Sequence, residues 1–392
     1  MSADFLPDNQ VDLLESGKDF FPALLAAIAA AECEVLLETY LFADDVTGRT
    51  VATALAAAAL RGVAVRVLVD GFGAREFSQG LGRQIVAAGG GVAVYRPELA
   101  RLRMRRNRLR RLHRKLAVID GRIAFVGGIN IIDDLNNGDA ASLGPRFDYA
   151  VRIRGPLVLQ VHDSMVRLWW LVGWARLQRR PPRLVLPSCS ETARSGTVSA
   201  ALVIRDNLRH RHDIENNYLA ALAAAGSEIT IASAYFLPGR RFRHALLAAA
   251  RRGCRVTILL QGRVEYALLH YATQALYGYL LAGGVRIFEY QTGFLHAKVA
   301  AIDTHWATVG SSNIDPFSLL LAREANVVIR DAGFVAQLRA SLNAAMARDA
   351  VEITHAALRR SGLLARALRW SAYSLMRLLL GITRYGGRDY RE

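Results

Sequence analysis

Two short stretches of this sequence place the same reactive side chains at the same spacing. His113, Lys115 and Asp120 stand as His-x-Lys-x4-Asp and are followed by Gly127, Gly128 and Asn130. His296, Lys298 and Asp303 repeat the spacing and are followed by Gly310, Ser311 and Asn313. On a strand, residues two apart point to the same face, so each histidine and its lysine project together. Imidazole is a nucleophile and a proton carrier near neutral pH. Two such rings meeting in one site divide a phosphoryl transfer between them. One attacks phosphorus and forms a phospho-histidine, and the other protonates the leaving alkoxide and then activates the incoming alcohol or water. Lysine and asparagine at Lys115, Lys298, Asn130 and Asn313, with the Ser311 hydroxyl, suit the binding of non-bridging phosphate oxygens. This chemistry requires no metal or other cofactor, because the cations are built in.

The choice of lysine is informative. Only 3 of the 50 basic residues are lysines, Lys18, Lys115 and Lys298, yet both motif positions carry one. A compact ammonium is selected there over the forked guanidinium used at every other basic position but Lys18.

The elements that must hold these residues also repeat. Strand-like VLLETYLF (35–42) is echoed by ITIASAYFL (229–237). An alanine-rich helical stretch ending in Arg-Gly follows each, at 50–62 and 242–253, and then an apolar strand at 63–69 and 254–260. Gly-rich turns lead into GGGVAVY (89–95) and AGGVRIFEY (282–290), and each half then delivers its histidine motif. Alternating strands and helices imply an α/β fold of two similar domains, each a mixed β-sheet flanked by helices. We expect an N-terminal domain at 1–180, a linker at 181–197, a C-terminal domain at 198–350, and an amphipathic helix with a basic tail at 351–392. The active site is expected at the pseudo-two-fold interface.

This doubled motif resembles the signature of the phospholipase D superfamily, over about 10–348 of the chain. The resemblance implies a structural role for Asp120 and Asp303, beside their place in the motif. It also implies an acidic residue downstream that orients each histidine through its second nitrogen, matched by Asp148 in FDYAVRI and Glu324 in REANVVI. By the same analogy His113 is the nucleophile. Within the superfamily, VDLLESGKDFFPALLAAI, LHRKLAVIDGRIAFVGGIN and DYAVRIRGP are most similar to bacterial cardiolipin synthases. That likeness implies a phosphatidyltransferase that joins two phosphatidylglycerol molecules into cardiolipin and glycerol. A phosphodiesterase or nuclease acting on nucleic acid is the alternative reading of the same motif. An idle binding protein would not need both histidines.

The net charge of +16 is concentrated in two blocks. Residues 101–115 carry eight arginines and one lysine with no acid, and the segment from His355 onward carries eight arginines against Asp389 and Glu392. Such blocks favour a polyanionic partner. The first lacks the interleaved aromatics that stack bases, which favours anionic phospholipids over nucleic acid. Leu363–Leu380 places Arg366, Arg369 and Arg377 opposite Leu364, Leu368, Leu375 and Leu379, the pattern of an interfacial helix. No basic-then-apolar leader opens the chain, and no run reaches the roughly 18 apolar residues of a spanning helix. A peripheral position on the cytoplasmic face of a bacterial membrane is therefore expected. Three scattered cysteines suggest neither a disulfide nor a zinc site, and so a reducing compartment. Nothing in the sequence reports oligomeric state.

Overall fold

The computed structural model describes residues 3–97, 110–136, 144–175, 195–206, 209–360 and 362–382. The first half runs β1 (Leu6–Glu15), α1 (Ser16–Ala29), β2 (Glu34–Thr39), α2 (Val46–Leu60), β3 (Ala64–Asp70), α3 (Leu81–Ala87) and β4 (Gly91–Tyr95). It continues with β5 (Lys115–Ile119), β6 (Ile123–Gly127), β7 (Tyr149–Arg154) and α4 (Leu157–Ala175). The second half runs β8 (Val198–Arg205), α5 (Asp213–Ala224), β9 (Glu228–Ser233), α6 (Arg240–Arg251), β10 (Arg255–Gln261), α7 (Ala267–Ala275) and α8 (Tyr277–Ala282). Then come β11 (Arg286–Tyr290), β12 (Lys298–Ile302), β13 (Trp306–Gly310), α9 (Pro316–Leu320), β14 (Glu324–Arg330) and α10 (Ala332–Asp349). The chain closes with β15 (Ala350–Ile353), α11 (His355–Arg360) and α12 (Leu363–Ile382).

The strands form one mixed sheet, in the order β15-β11-β10-β9-β12-β13-β14-β8-β1-β7-β6-β5-β2-β3-β4. Reading outward from the β8–β1 junction, each half repeats the other strand for strand, and β15 is an added edge. The parallel sets β2-β3-β4 and β9-β10-β11 are alternating strand–helix units, whereas β5-β6-β7 and β12-β13-β14 are antiparallel meanders. Local signals explain the matching boundaries. The Asp45 side chain caps α2 by accepting from Gly48 N at 2.8 Å. Gly62 (φ +91°) and Gly253 (φ +94°) end the two alanine-rich helices in the left-handed conformation that favours glycine.

One apolar core joins the halves. It draws on Val126, Val151, Val309 and Val327 of the meanders and on Leu157, Val161, Leu338 and Leu342 of α4 and α10. A second core lies under α1–α3, and a third under α5–α8 and the inner row of α12, Ala372, Met376 and Leu380. His162 is buried on α4 and bonds Glu34 Oε1 at 2.9 Å.

Two sequence expectations need correction. Cys33 is disulfide-bonded, while Cys254 is a buried free thiol; sequence spacing does not report which cysteines the fold brings together. The α12 leucines were expected to lie opposite a basic face on a simple two-sided helix. Instead α12 has three faces: the inner apolar row, the arginine side, and an outward row in which Leu364, Leu368, Leu375 and Leu379 are 43–86 % exposed. No helix among the described residues is long and apolar enough to cross a membrane. The basic segment at 101–109, the linker up to 194 and the tail from 383 lie outside the described residues.

Candidate active site

Each histidine sits two residues before the Lys that opens a buried meander strand, and it is tied by its backbone to the opposite half. His113 N donates to Arg323 O at 3.0 Å and Arg323 N to Arg111 O at 2.7 Å. The symmetric pair runs from His296 N to Phe147 O at 2.8 Å and from Phe147 N to Phe294 O at 2.9 Å. These bridges put each histidine beside the carboxylate that directly follows its bridged partner, Glu324 after Arg323 and Asp148 after Phe147. His113 Nδ1 lies 3.0 and 3.2 Å from the Glu324 oxygens, and His296 Nδ1 lies 2.6 Å from Asp148 Oδ2. The carboxylates are therefore exchanged: each half orients the histidine of the other. With Nδ1 engaged, Nε2 is the nitrogen left for the cavity that both rings line.

That cavity measures about 680 Å³. Asn130 and Asn313 line it at matched positions, and both are fixed by backbone donors at the ends of β2 and β9. Asn130 Oδ1 accepts from Leu41 N at 3.2 Å, and Asn313 Oδ1 from Tyr235 N at 3.4 Å. Phe72, Leu268, Leu269 and Met376 give it apolar walls, while Arg111 and Arg146 bring cations to it. Sequence reasoning missed Tyr40, whose ring stands edge-on 5.0 Å from His113 and 5.5 Å from Lys115 Nζ. It also missed Tyr235, Glu265 and Met376, which only the structure brings to the site.

The lysines are buried beneath the rings and do not line the cavity. Lys115 Nζ donates to His113 O at 2.6 Å. Lys298 Nζ donates to His296 O and stands 2.8 Å from His296 Nδ1 and 3.6 Å from Asp148. Lys18, the third lysine, is a surface partner of Glu15. Burial lowers the Lys115 pKa to about 7, against the opposing pull of Glu324, and lowers that of Lys298 also. Burial likewise pushes both histidines below the usual range, His296 further because Lys298, Lys115 and His113 add to it. It raises Asp148 to about 6 despite the nearby ammonium of Lys298.

Three motif residues are not at the reacting centre. Asp120 accepts from the backbone N–H groups of Glu32, Cys33 and Glu34 at 2.8–2.9 Å. Asp303 accepts from those of Gly226, Ser227 and Glu228 at 2.9–3.0 Å, which helps hold its pKa at about 2. Both take positive φ, +53° and +47°, at the end of the strand remote from the histidine, so they fasten turns and carry no step of the chemistry. Ser311 was expected to contact phosphate. It is wholly buried, outside the cavity, and its hydroxyl donates to Glu324. Its counterpart Gly128 has no room for a side chain, since a Cβ there would lie 2.3 Å from Asp148 Oδ1. The longer Glu is thus steadied by a serine, and the shorter Asp fills the space beside a glycine.

Comparison with known proteins agrees with this architecture. A family model described as cardiolipin synthase, PLD-like domain matches residues 24–163 and 218–346. Cardiolipin synthase B of Escherichia coli K12 is 41 % identical over 364 residues, covering 90 % of this chain and 84 % of that protein. The major cardiolipin synthase ClsA of Bacillus subtilis is 32 % identical over 333 residues, 83 % of this chain and 67 % of that one. Among solved structures, the phosphatidylserine synthase of Haemophilus influenzae superposes with a TM-score of 0.71 at 13 % identity, covering 96 % of this chain and 95 % of that one. The chain belongs to the cardiolipin synthase family of phospholipase D-like enzymes.

Proposed function

We propose that this enzyme transfers a phosphatidyl group between phospholipids, converting two phosphatidylglycerol molecules into cardiolipin and glycerol. The observation that carries the reading is the crossed pair of carboxylate-anchored histidines in one partly apolar cavity. His113 Nε2 attacks phosphorus, and the bond to the glycerol headgroup breaks as His296 delivers a proton to the departing oxygen. His296 then takes the proton from a hydroxyl of the second phosphatidylglycerol, whose oxygen attacks the phospho-histidine and frees His113. Glu324 supports His113 as nucleophile, because a carboxylate on Nδ1–H enriches Nε2 in electron density. The Asp148–His296 pair suits the acid: with the aspartate raised and the imidazole lowered, one proton is shared across their 2.6 Å contact. Asn130 and Asn313 hold non-bridging oxygens, and the two ammoniums act from just beneath the cavity floor.

The anionic phospholipid partner and a peripheral position on the cytoplasmic membrane face complete the proposal. The outward leucines of α12 support it. They form the outward row of the same helix whose inner Met376 lines the catalytic cavity. An assay of the purified enzyme with phosphatidylglycerol alone should yield cardiolipin and glycerol in equal amounts. Parallel reactions would add phosphatidylethanolamine or offer single-stranded DNA. Cleavage of the DNA with no lipid turnover would replace this reading with the nuclease one.

A further inference from the structure

The two sides of the catalytic cavity are not alike. Glu38 pairs with Leu116 and Ser233 with Lys298, so the antiparallel register sets Leu41 level with His113 and Tyr235 level with His296. Both Leu41 and Tyr235 line the cavity, and an apolar side chain on one side is thus matched by a phenol on the other. The loops after β3 and β10 differ in the same way. Gly71 N bonds Tyr95 O at 2.8 Å and Gly262 N bonds Tyr290 O at 3.0 Å, which makes 71–75 and 262–266 equivalent. Only the second holds an acid, Glu265, where the first has Ala74. The Tyr235 hydroxyl donates to Glu265 Oε2 at 2.6 Å, and among the described residues Glu265 has no other hydrogen-bond partner. Its second oxygen is left for a ligand.

Arg146 adds a cation to this side. It precedes Phe147, whose carbonyl accepts from His296 N, and the matching residue before Arg323 is Ala322. Arg146 Nη2 donates to Asn136 O at 3.2 Å, whereas its Nε is buried with no hydrogen-bond partner. The charges of Arg146 and Glu265 both bear on the Tyr266 hydroxyl, that of Arg146 also on His296, and that of Glu265 also on Lys298. A carboxylate in a cavity for anionic phosphodiesters weakens binding unless the substrate brings it a donor. A glycerol headgroup does so, because the carbon next to its reacting hydroxyl carries a second one. An ethanolamine headgroup would instead bring an ammonium to a place already flanked by Arg146 and Lys298. We propose that the His296 side of the cavity is the acceptor subsite. Glu265, steadied by Tyr235, accepts from the hydroxyl adjacent to the reacting one, and Arg146 holds the acceptor lipid's own unreacted phosphate. The reacting hydroxyl is thereby presented to His296. This rests on the reading that two phosphatidylglycerol molecules react in one cavity.

The test uses the full chain with a short-chain phosphatidyl-p-nitrophenol as donor. Two acceptors compete in each reaction, so the product ratio reports the choice of acceptor and does not move in a variant that is merely slower. Glycerol against 1,3-propanediol isolates the adjacent hydroxyl. Glu265→Gln should lower that ratio about tenfold, the effect of losing a hydrogen bond to a charged group. Glycerophosphoglycerol against glycerol isolates the second phosphate. Arg146→Gln should lower this ratio by about tenfold, whereas Glu265→Gln should leave it within about twofold. Unchanged ratios in both variants would overturn the subsite and leave the transfer reaction standing. A wild type that transfers the phosphatidyl group to no alcohol would remove the reading beneath it as well. Inhibition of the wild type by ethanolamine that Glu265→Gln abolishes would make the carboxylate an ammonium site, and that too overturns the proposal.

Discussion

The exchanged carboxylates make the two halves of the site chemically separable, and the leaving group can expose the division. Glu324→Gln keeps the shape of a wholly buried side chain but replaces the carboxylate that meets His113 Nδ1 at 3.0 Å and accepts the Ser311 hydroxyl. A hydrogen bond to a charged group contributes about 1.5–3 kcal/mol, which corresponds to roughly 10–100-fold in rate at about 1.4 kcal/mol per tenfold. Asp148→Asn should cost a similar factor through His296. The two variants then part company on a phosphodiester with a p-nitrophenolate leaving group, which departs without a proton. Rapid-mixing measurement of p-nitrophenolate release should find Asp148→Asn restored to within a few-fold of wild type. Glu324→Gln should stay 10–100-fold slow, because forming the bond to phosphorus still needs an oriented, electron-rich His113. Rescue of Glu324→Gln with none for Asp148→Asn would refute the assignment and make His296 the nucleophile. Equal rescue of both would refute the division of labour itself.

Other outcomes follow from the same geometry. The kcat/KM profile should fall below pH of about 6 as a second proton enters the Asp148–His296 pair and Asp148 can no longer accept from His296, and above about 7 as Lys115 loses its own. Lys115→Arg, whose guanidinium stays charged, should flatten the upper limb while lowering the maximum, because the larger head does not fit the buried position. Gly128→Ala removes no reacting atom, yet its methyl would displace the Asp148 carboxylate 2.3 Å away; a loss of about 10–100-fold is expected in steady-state turnover. Leu368→Glu/Leu375→Glu should weaken vesicle binding at least about tenfold, since a buried leucine contributes about 1.5–3 kcal/mol, with turnover of monomeric lipid retained. Deleting 363–392 is a poorer test of membrane binding than these point changes. It would also uncover the core contacts of Ala372, Met376 and Leu380 and remove a wall of the catalytic cavity.

The repeat made the fold legible. Matching strand and helix patterns in the two halves foretold the mixed sheet, and two copies of one motif located the histidines, lysines and asparagines. Asp148 and Glu324 were legible as positions only through the resemblance to the phospholipase D signature. Their partners were not, since sequence assigns a residue to an element while the packing of the halves decides which histidine it meets. Ser311 was misread for a related reason: a hydroxyl near a phosphate site looks like a ligand until its burial against Glu324 is seen. On α12, helical periodicity separated arginines from leucines. It did not reveal that the inner row would pack on the domain and leave the leucines outward. Tyr40 and Glu265 have no repeat partner in the site, so no sequence symmetry marked them.

The central claim is a covalent phospho-histidine on His113 formed across the interface of the two halves. The direct measurement is to quench the enzyme with phosphatidylglycerol during turnover under alkaline denaturing conditions, which preserve phospho-histidine, and to map the adduct by peptide mass spectrometry. The account predicts a phosphatidyl group on the peptide containing His113, accumulating further in His296→Ala, where the acid and base of the second step is gone. An adduct on His296 alone, or cardiolipin formation with no adduct on either histidine, would contradict it.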